Sequence, residues 1–367
     1  MKTLDHRFAY CKKKIYNSYN VTSENITKND TLYNFNTVHL KNCYFINNCF
    51  INDNYIISLT YDGEKEKQNL KKYILKCYNS NKPSNTSIVN DNLYLWHSNT
   101  NNYLHFVRDC LLVLEEYISN ENYYKNFKIL VKKEGFNDFV IDILKTLNLY
   151  QNIVFLKDIK KKYPNELLFK NLHIPVYNNP ELSKKEFRHY KIVKKIKKLV
   201  NNFSLPKDLI YDKIYISRRT WTRNTEKKKI GQDNTQKRKC LNEDEIVKIL
   251  KEKKYKEIFL EDYDFVTKLA ILNNAKTVLT THGAGVVNFL FTRNIEYIVL
   301  NSQYKLSDGL KEIIKIDNII YDLDIYKPIA QVYVGMGPNM PYEIDICKFK
   351  KMLKTKDIWQ WFCEHLH

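Results

Sequence analysis

No apolar run in this chain approaches the ~18 residues that a bilayer-spanning helix needs. Residues Met1–Asn17 are charged and hold no apolar core, so neither a membrane anchor nor a secretory signal is expected, and the expected setting is cytoplasmic. There is no C-x-x-C pair. The eight cysteines (Cys11, Cys43, Cys49, Cys77, Cys110, Cys240, Cys347, Cys363) stand singly, which argues against zinc and for free thiols in a reducing compartment. Cys43 and Cys49 are the pair that an oxidising compartment would join. Neither G-x-G-x-x-G nor G-x-x-x-x-G-K-[ST] occurs, so the dinucleotide-binding and P-loop fingerprints are both excluded.

What the chain has in excess is positive charge, a formal +19 over 367 residues. A nucleic-acid partner, an anionic ligand and A/T-rich coding bias toward Lys, Asn, Ile and Tyr each account for it. The basic residues are spread along the chain, with the densest clusters at Lys184–Lys198 and Arg223–Lys239. That spread favours bias together with an anionic ligand over a nucleic-acid binder, and an A/T-rich genome such as a virus's fits it. Hydrophobic residues make up 44% and aromatics 14%, a globular composition, and the length suits two domains.

Short alternating strands are expected over 30–60, a helix over Glu66–Asn79, a strand at Leu93–Trp96 and an apolar helix over Tyr103–Ile118. Strand Lys128–Val131, helix Asn137–Leu147 and strand Ile153–Leu156 then follow in β–α–β order, which points to a parallel sheet. An amphipathic, Lys-rich helix over Phe187–Phe203 ends at Ser204-Leu205-Pro206, the expected boundary between an N-terminal domain (1–203) and a C-terminal one (204–343). The second half alternates again. Strands are expected at Ile214–Ser217, Lys256–Leu260, Thr277–Thr280 and Ile295–Leu300, and helices at Glu243–Glu252, Phe265–Asn273 and Val286–Leu290. A terminal helix, 344–367, closes the chain and is expected to pack back on the first domain.

The most informative stretch is Ala275–Phe291, where a strand enters the turn His282-Gly283-Ala284-Gly285 and leaves as a helix through Val286 and Asn288. The glycines permit close backbone approach, and a helix start offers free N–H groups and a positive dipole end to an anion such as a diphosphate. His282 adds a titratable donor. Upstream, Ser217-Arg218-Arg219 stands at the carboxyl end of a strand, where α/β sheets bind ligands and where guanidiniums pair with phosphate oxygens. Both stretches also read as an ordinary turn and a solvated charge pair; together they point to one crevice.

Asn102, His105 and Asp109 form a second constellation, with His105 and Asp109 four apart on one helix face. An imidazole beside a carboxylate suits general-base chemistry, and equally a satisfied core histidine. Asp262-Tyr263-Asp264 matches a D-x-D cation pattern, but Asp264 directly precedes a helix and reads better as its N-cap. Glu261 suits a ribose hydroxyl, Arg238 a phosphate, and Asn242 a helix cap. The polar stretch Thr220–Lys237 reads as a lid or an insertion.

These residues resemble glycosyltransferase family 61. The family pattern runs I-S-R-x, then R-x-x-x-N-E, then H-G-A-G-L-x-N-x-x-F. Here it is matched by Ile216–Arg219, by Arg238 with Asn242-Glu243, and by His282–Asn288 with Phe291, while Asn102, His105 and Asp109 match a further N-x-x-H-x-x-x-D. Thr267 and Lys268 stand where many members carry Glu-Gln, and the membrane anchor common in the family is not expected here. The resemblance implies an α/β fold of GT-B type, with two Rossmann-like doubly wound domains facing a cleft. It also implies inverting, metal-independent transfer from a UDP-sugar (UDP-xylose, UDP-N-acetylglucosamine or UDP-arabinose) to a glycan or glycoprotein. It needs no cofactor beyond that donor and no metal. Ser217, Arg218, Arg219, Arg238, Glu261, His282, Gly283, Ala284, Gly285 and Asn288 would hold the donor, and Asp109 or His105 would act as base. An inactive binding module with the same fold, or a basic nucleic-acid binder, is the alternative.

Overall fold

Apolar strands alternating with amphipathic helices organise both halves of the chain. The computed structural model describes residues 10–13, 26–28, 35–46, 49–51, 55–58, 86–96, 102–111, 114–131, 135–163, 165–177, 190–219, 240–302, 305–328 and 341–354. The helix expected over Glu66–Asn79, the stretch Thr220–Lys237 and Arg238 lie outside these residues. The chain divides into two units: Met1–Thr100 with His105–Ile192, and Asn101–Leu104 with Val193–His367.

In the first unit the described strands are β1 (Tyr10–Lys13), β2 (Ile26–Lys28), β3 (Phe35–Ile46), β4 (Cys49–Ile51), β5 (Tyr55–Ser58), β6 (Thr86–Trp96), β7 (Lys128–Val131), β8 (Ile153–Phe155) and β9 (Glu166–Tyr177). They form one sheet in the order β1-β5-β4-β3-β9-β6-β7-β8, with β2 on β3. The β9-β6-β7-β8 half is parallel. Helices Asp138–Thr146 and Leu156–Lys162 supply two of its crossovers, the β–α–β order read from the sequence.

The other half is antiparallel. Residues 47–48 join β3 to β4 and 52–54 join β4 to β5, far too few for the crossover a parallel pair requires. The unit is therefore a mixed sheet and not a wholly doubly wound one. Its core gathers Leu93, Leu95, Leu130, Leu167, Phe169 and Leu172. Cys43 is a buried, reduced thiol not joined to Cys49; Cys110, Cys240 and Cys347 are reduced as well.

His39 of β3 and His173 of β9 face each other in register, with ring centroids 4.0 Å apart. Burial lowers both pKa values, that of His173 to about 3, and each is lowered further by a positive neighbour, Lys41 for His39 and His39 for His173. Neither Nε2 has a partner among the described residues.

The apolar helix expected over Tyr103–Ile118 is broken into an α-turn (Tyr103–His105), a π-helical stretch (Phe106–Leu111) and a second α-helix (Glu115–Ser119). Trp96 Nε1 donates to the Cys110 carbonyl at 2.9 Å, taking an oxygen that a continuing α-helix would offer to its own backbone.

The second unit holds a fully parallel sheet of β10 (Lys213–Ile216), β11 (Lys256–Ile258), β12 (Thr277–Thr281), β13 (Glu296–Leu300) and β14 (Ile319–Leu323), in the order β11-β10-β12-β13-β14. Helices Glu243–Glu252, Phe265–Asn273 and Asp308–Ile314 and a 3-10 helix, Ala284–Phe291, connect them in turn. Near-continuous apolar strands such as Tyr297-Ile298-Val299-Leu300 are what a sheet covered on both faces requires. Winding reverses between β10 and β12, which makes the space beyond their carboxyl ends the switch point where such sheets bind ligands.

A ribbon of β15 (Tyr326–Pro328) and β16 (Tyr342–Ile344) follows, then helix Ile346–Lys354. Phe349 and Met352 of that helix join the second unit's core beside Tyr215, Leu279 and Ile298. Among the described residues no helix is long and apolar enough to cross a membrane.

Candidate functional site

Beyond β12, His282 N donates to the Leu300 carbonyl at 2.9 Å, so the sheet runs one residue past the strand. Gly283 is extended, and the chain then enters the expected helix, which is a 3-10 helix over Ala284–Phe291. Val286 N reaches the Gly283 carbonyl at 3.2 Å, while the N–H groups of Ala284 and Gly285 have no partner among the described residues. Two open donors thus stand at the start of a helix, directly after a strand.

The arginine side is built on a buried carboxylate. Glu243, 2% exposed at the start of its helix, accepts through Oε1 from Tyr215 Oη (2.8 Å), Ser217 Oγ (3.2 Å) and Arg218 N (2.9 Å). Burial pushes its pKa up, and those hydrogen bonds with the Arg218 charge pull it back. The loop after β10 is thereby set, and Arg218 Nη1 donates to the His282 carbonyl at 2.8 Å. The guanidinium lies against Gly283: a Cβ there would sit 3.2 Å from its Cζ and Nε. No other hydrogen-bond partner of the guanidinium stands among the described residues. The two sequence motifs meet where neighbouring strands end.

Arg219 points elsewhere. It holds Glu257 of β11 through Nη2 (2.7 and 2.8 Å) and Nε (3.0 Å), and Nη1 pairs with Asp244. Ser217 is buried, with its hydroxyl taken up by Glu243 and Arg219 N. Asn288 is buried and engaged at both ends of its amide, donating to Gly285 O (2.9 Å) and accepting from Tyr103 Oη (2.6 Å).

Glu261 is exposed in the 3-10 turn Leu260–Asp262 beyond β11. Asp264 is the N-cap expected of it, accepting from Thr267 N at 2.8 Å. Asn242 caps no helix through its side chain. Its amide pairs instead with the backbone N–H and carbonyl of Ile344 (3.0 and 2.8 Å), pinning β16. In the first unit, His105 ends the α-turn and Asp109 lies within the π-helical stretch; their side chains fall outside the described residues.

Three contributors were given no role at the site from the sequence. Glu243 closed the R-x-x-x-N-E match with no role assigned; its burial depends on the fold. Tyr103 belongs to a segment grouped with the second unit, which no local pattern announces. Lys268 is 8% exposed within an apolar helix, its Nζ 5.4 Å from the Tyr103 ring centroid.

The second unit is thus a parallel α/β unit with cationic and backbone donors gathered at its switch point. The chain belongs to the glycosyltransferase 61 family, whose model (Glycosyltransferase 61) matches residues 103–299, more than half of its length. The matched region takes in His105, Asp109 and every motif of the second unit's turn. No curated protein matches the chain.

Proposed function

We propose that the second unit binds a UDP-sugar with its diphosphate at the Arg218–Gly283 turn, and that the enzyme transfers the sugar with inversion, without an essential metal. The observation that carries this reading is the Arg218–His282 hydrogen bond, which holds a guanidinium on Gly283 beside the open N–H groups of Ala284 and Gly285. As the glycosidic bond breaks, negative charge gathers on the β-phosphate. A guanidinium and two backbone N–H groups are donors that need little rearrangement to meet it, and His282 would add an imidazole at the same turn. They fill the role a divalent cation plays elsewhere.

Arg219, held by Glu257 and Asp244, stiffens the loop beside that site. Glu261, exposed beyond the strand next to β10, suits a ribose hydroxyl, and Arg238 a further phosphate oxygen. Inversion needs one base for the acceptor hydroxyl. We assign it to Asp109, with His105 positioning the acceptor. Support comes from their four-residue spacing and from the π-helical stretch that carries Asp109, a distortion common at functional sites. The GT-B arrangement, a cytoplasmic setting and a glycan or glycoprotein acceptor belong to the same proposal, with xylose or N-acetylglucosamine as the sugar.

The test is to incubate the protein with UDP-xylose and with UDP-N-acetylglucosamine in EDTA and follow UDP release. Turnover of one donor that R218A abolishes supports the reading. No release from any nucleotide sugar contradicts it.

A further inference from the structure

Gly285, Asn288 and Phe291 are spaced by three in a 3-10 helix, so they share one side of it. Each meets a different part of the second unit. Leu260 Cδ1 lies 3.4 Å from where a Cβ on Gly285 would stand, Phe265 packs edge-on against Phe291, and Tyr103 donates to Asn288. The Tyr103 contact is the only polar one of these three. Its oxygen is 2.6 Å from Asn288 Oδ1, and Asn288 Nδ2 donates in turn to Gly285 O at 2.9 Å. The relay leaves the amide one sensible orientation, since a flipped amide would set Oδ1 against a carbonyl. Lys268 lies over the Tyr103 ring and steadies it.

We propose that Tyr103 is a positioning residue for the donor's diphosphate: through Asn288 it holds the Gly285 carbonyl, and so steadies the first turn of the 3-10 helix, where the N–H groups of Ala284 and Gly285 stand open. It rests on the donor reading above. Asn288, assigned to the ligand by its motif, then acts on the ligand through the backbone of the turn. The strut lies within the second unit, to which Asn101–Leu104 belongs.

Ligand-observed titrations of the full chain with UDP and with uridine test it. Y103F keeps the ring under Lys268 and loses only the donor. It is expected to weaken UDP about tenfold, the scale of one hydrogen bond, and to leave uridine unchanged. N288A breaks the relay at its other end and serves equally if Y103F does not fold. The double variant is expected to be no weaker than the weaker single one. UDP binding unchanged in both variants overturns the proposal, as does a loss that falls equally on UDP and uridine, the mark of a merely structural role. Wild-type protein that binds no UDP overturns the donor reading itself, and this inference with it.

Discussion

Arg218 donates through Nη1 to the His282 carbonyl oxygen at 2.8 Å, joining the ends of β10 and β12 where the strand order reverses. Gly283 lets that contact form, because a side chain there would press on the guanidinium. G283A is expected to displace Arg218 and weaken donor binding by about tenfold or more while the fold persists. G285A meets only the tip of Leu260, and its loss is expected to be smaller. Side-by-side UDP titrations of the two variants check the order.

Arg219 predicts a different outcome from its neighbour. Its bidentate bond to Glu257 is largely buried, so R219A is expected to cost about 2 kcal/mol of stability, or about 4–8 °C in Tm. R218A is expected to lose donor affinity with a smaller change in Tm. Thermal denaturation with and without UDP separates the two.

Glu243 carries three hydrogen bonds on one oxygen, and E243A orphans all three donors at an expected cost of about 3 kcal/mol. Its pH dependence follows from the raised pKa. The folded state holds the proton more tightly than the unfolded chain does. Wild-type stability therefore falls as pH rises from the ordinary value of 4.5 through the raised one, and is flat beyond. E243Q keeps the accepting oxygen and lacks that slope. Denaturant midpoints from pH 4 to 8 give the comparison.

The His39–His173 pair has the opposite sign. Both pKa values are lowered, so the folded state binds fewer protons and stability falls as pH drops below the ordinary value of 6.5. With His173 at about 3, the loss at pH 5 is about 2 kcal/mol from this residue. H173F is expected to show a shallower loss between pH 7 and pH 5 than wild type. An equal slope would mean that the pair is not buried as described.

Much of the second unit was legible because its signals are local. Apolar runs such as Val278-Leu279, capping by Asp264 and the Gly-rich turn each declare themselves within a few residues. What escaped depends on distant partners. Arg218 and Arg219 are alike in sequence, yet one meets the His282 carbonyl and the other Glu257. Asn242 resembles a cap and instead pins β16, about a hundred residues on. In the first unit the long β3–β9 pairing was hidden because Lys41 and Asn42 interrupt the apolar alternation; Asn42 adopts a positive φ of 51°. The π-helical stretch has no sequence signature, since Phe106, Val107 and Leu111 would be buried at similar spacing in an α-helix.

On the function proposed above, Arg218 and the turn it braces hold a nucleoside diphosphate without a metal. Calorimetric titration of UDP into wild type and R218A, both in EDTA, tests it most directly. Saturable wild-type binding that R218A weakens by roughly ten- to a hundredfold, the range of a charge-assisted hydrogen bond, is expected. Absence of UDP binding in wild type, or equal affinity in R218A, would contradict it.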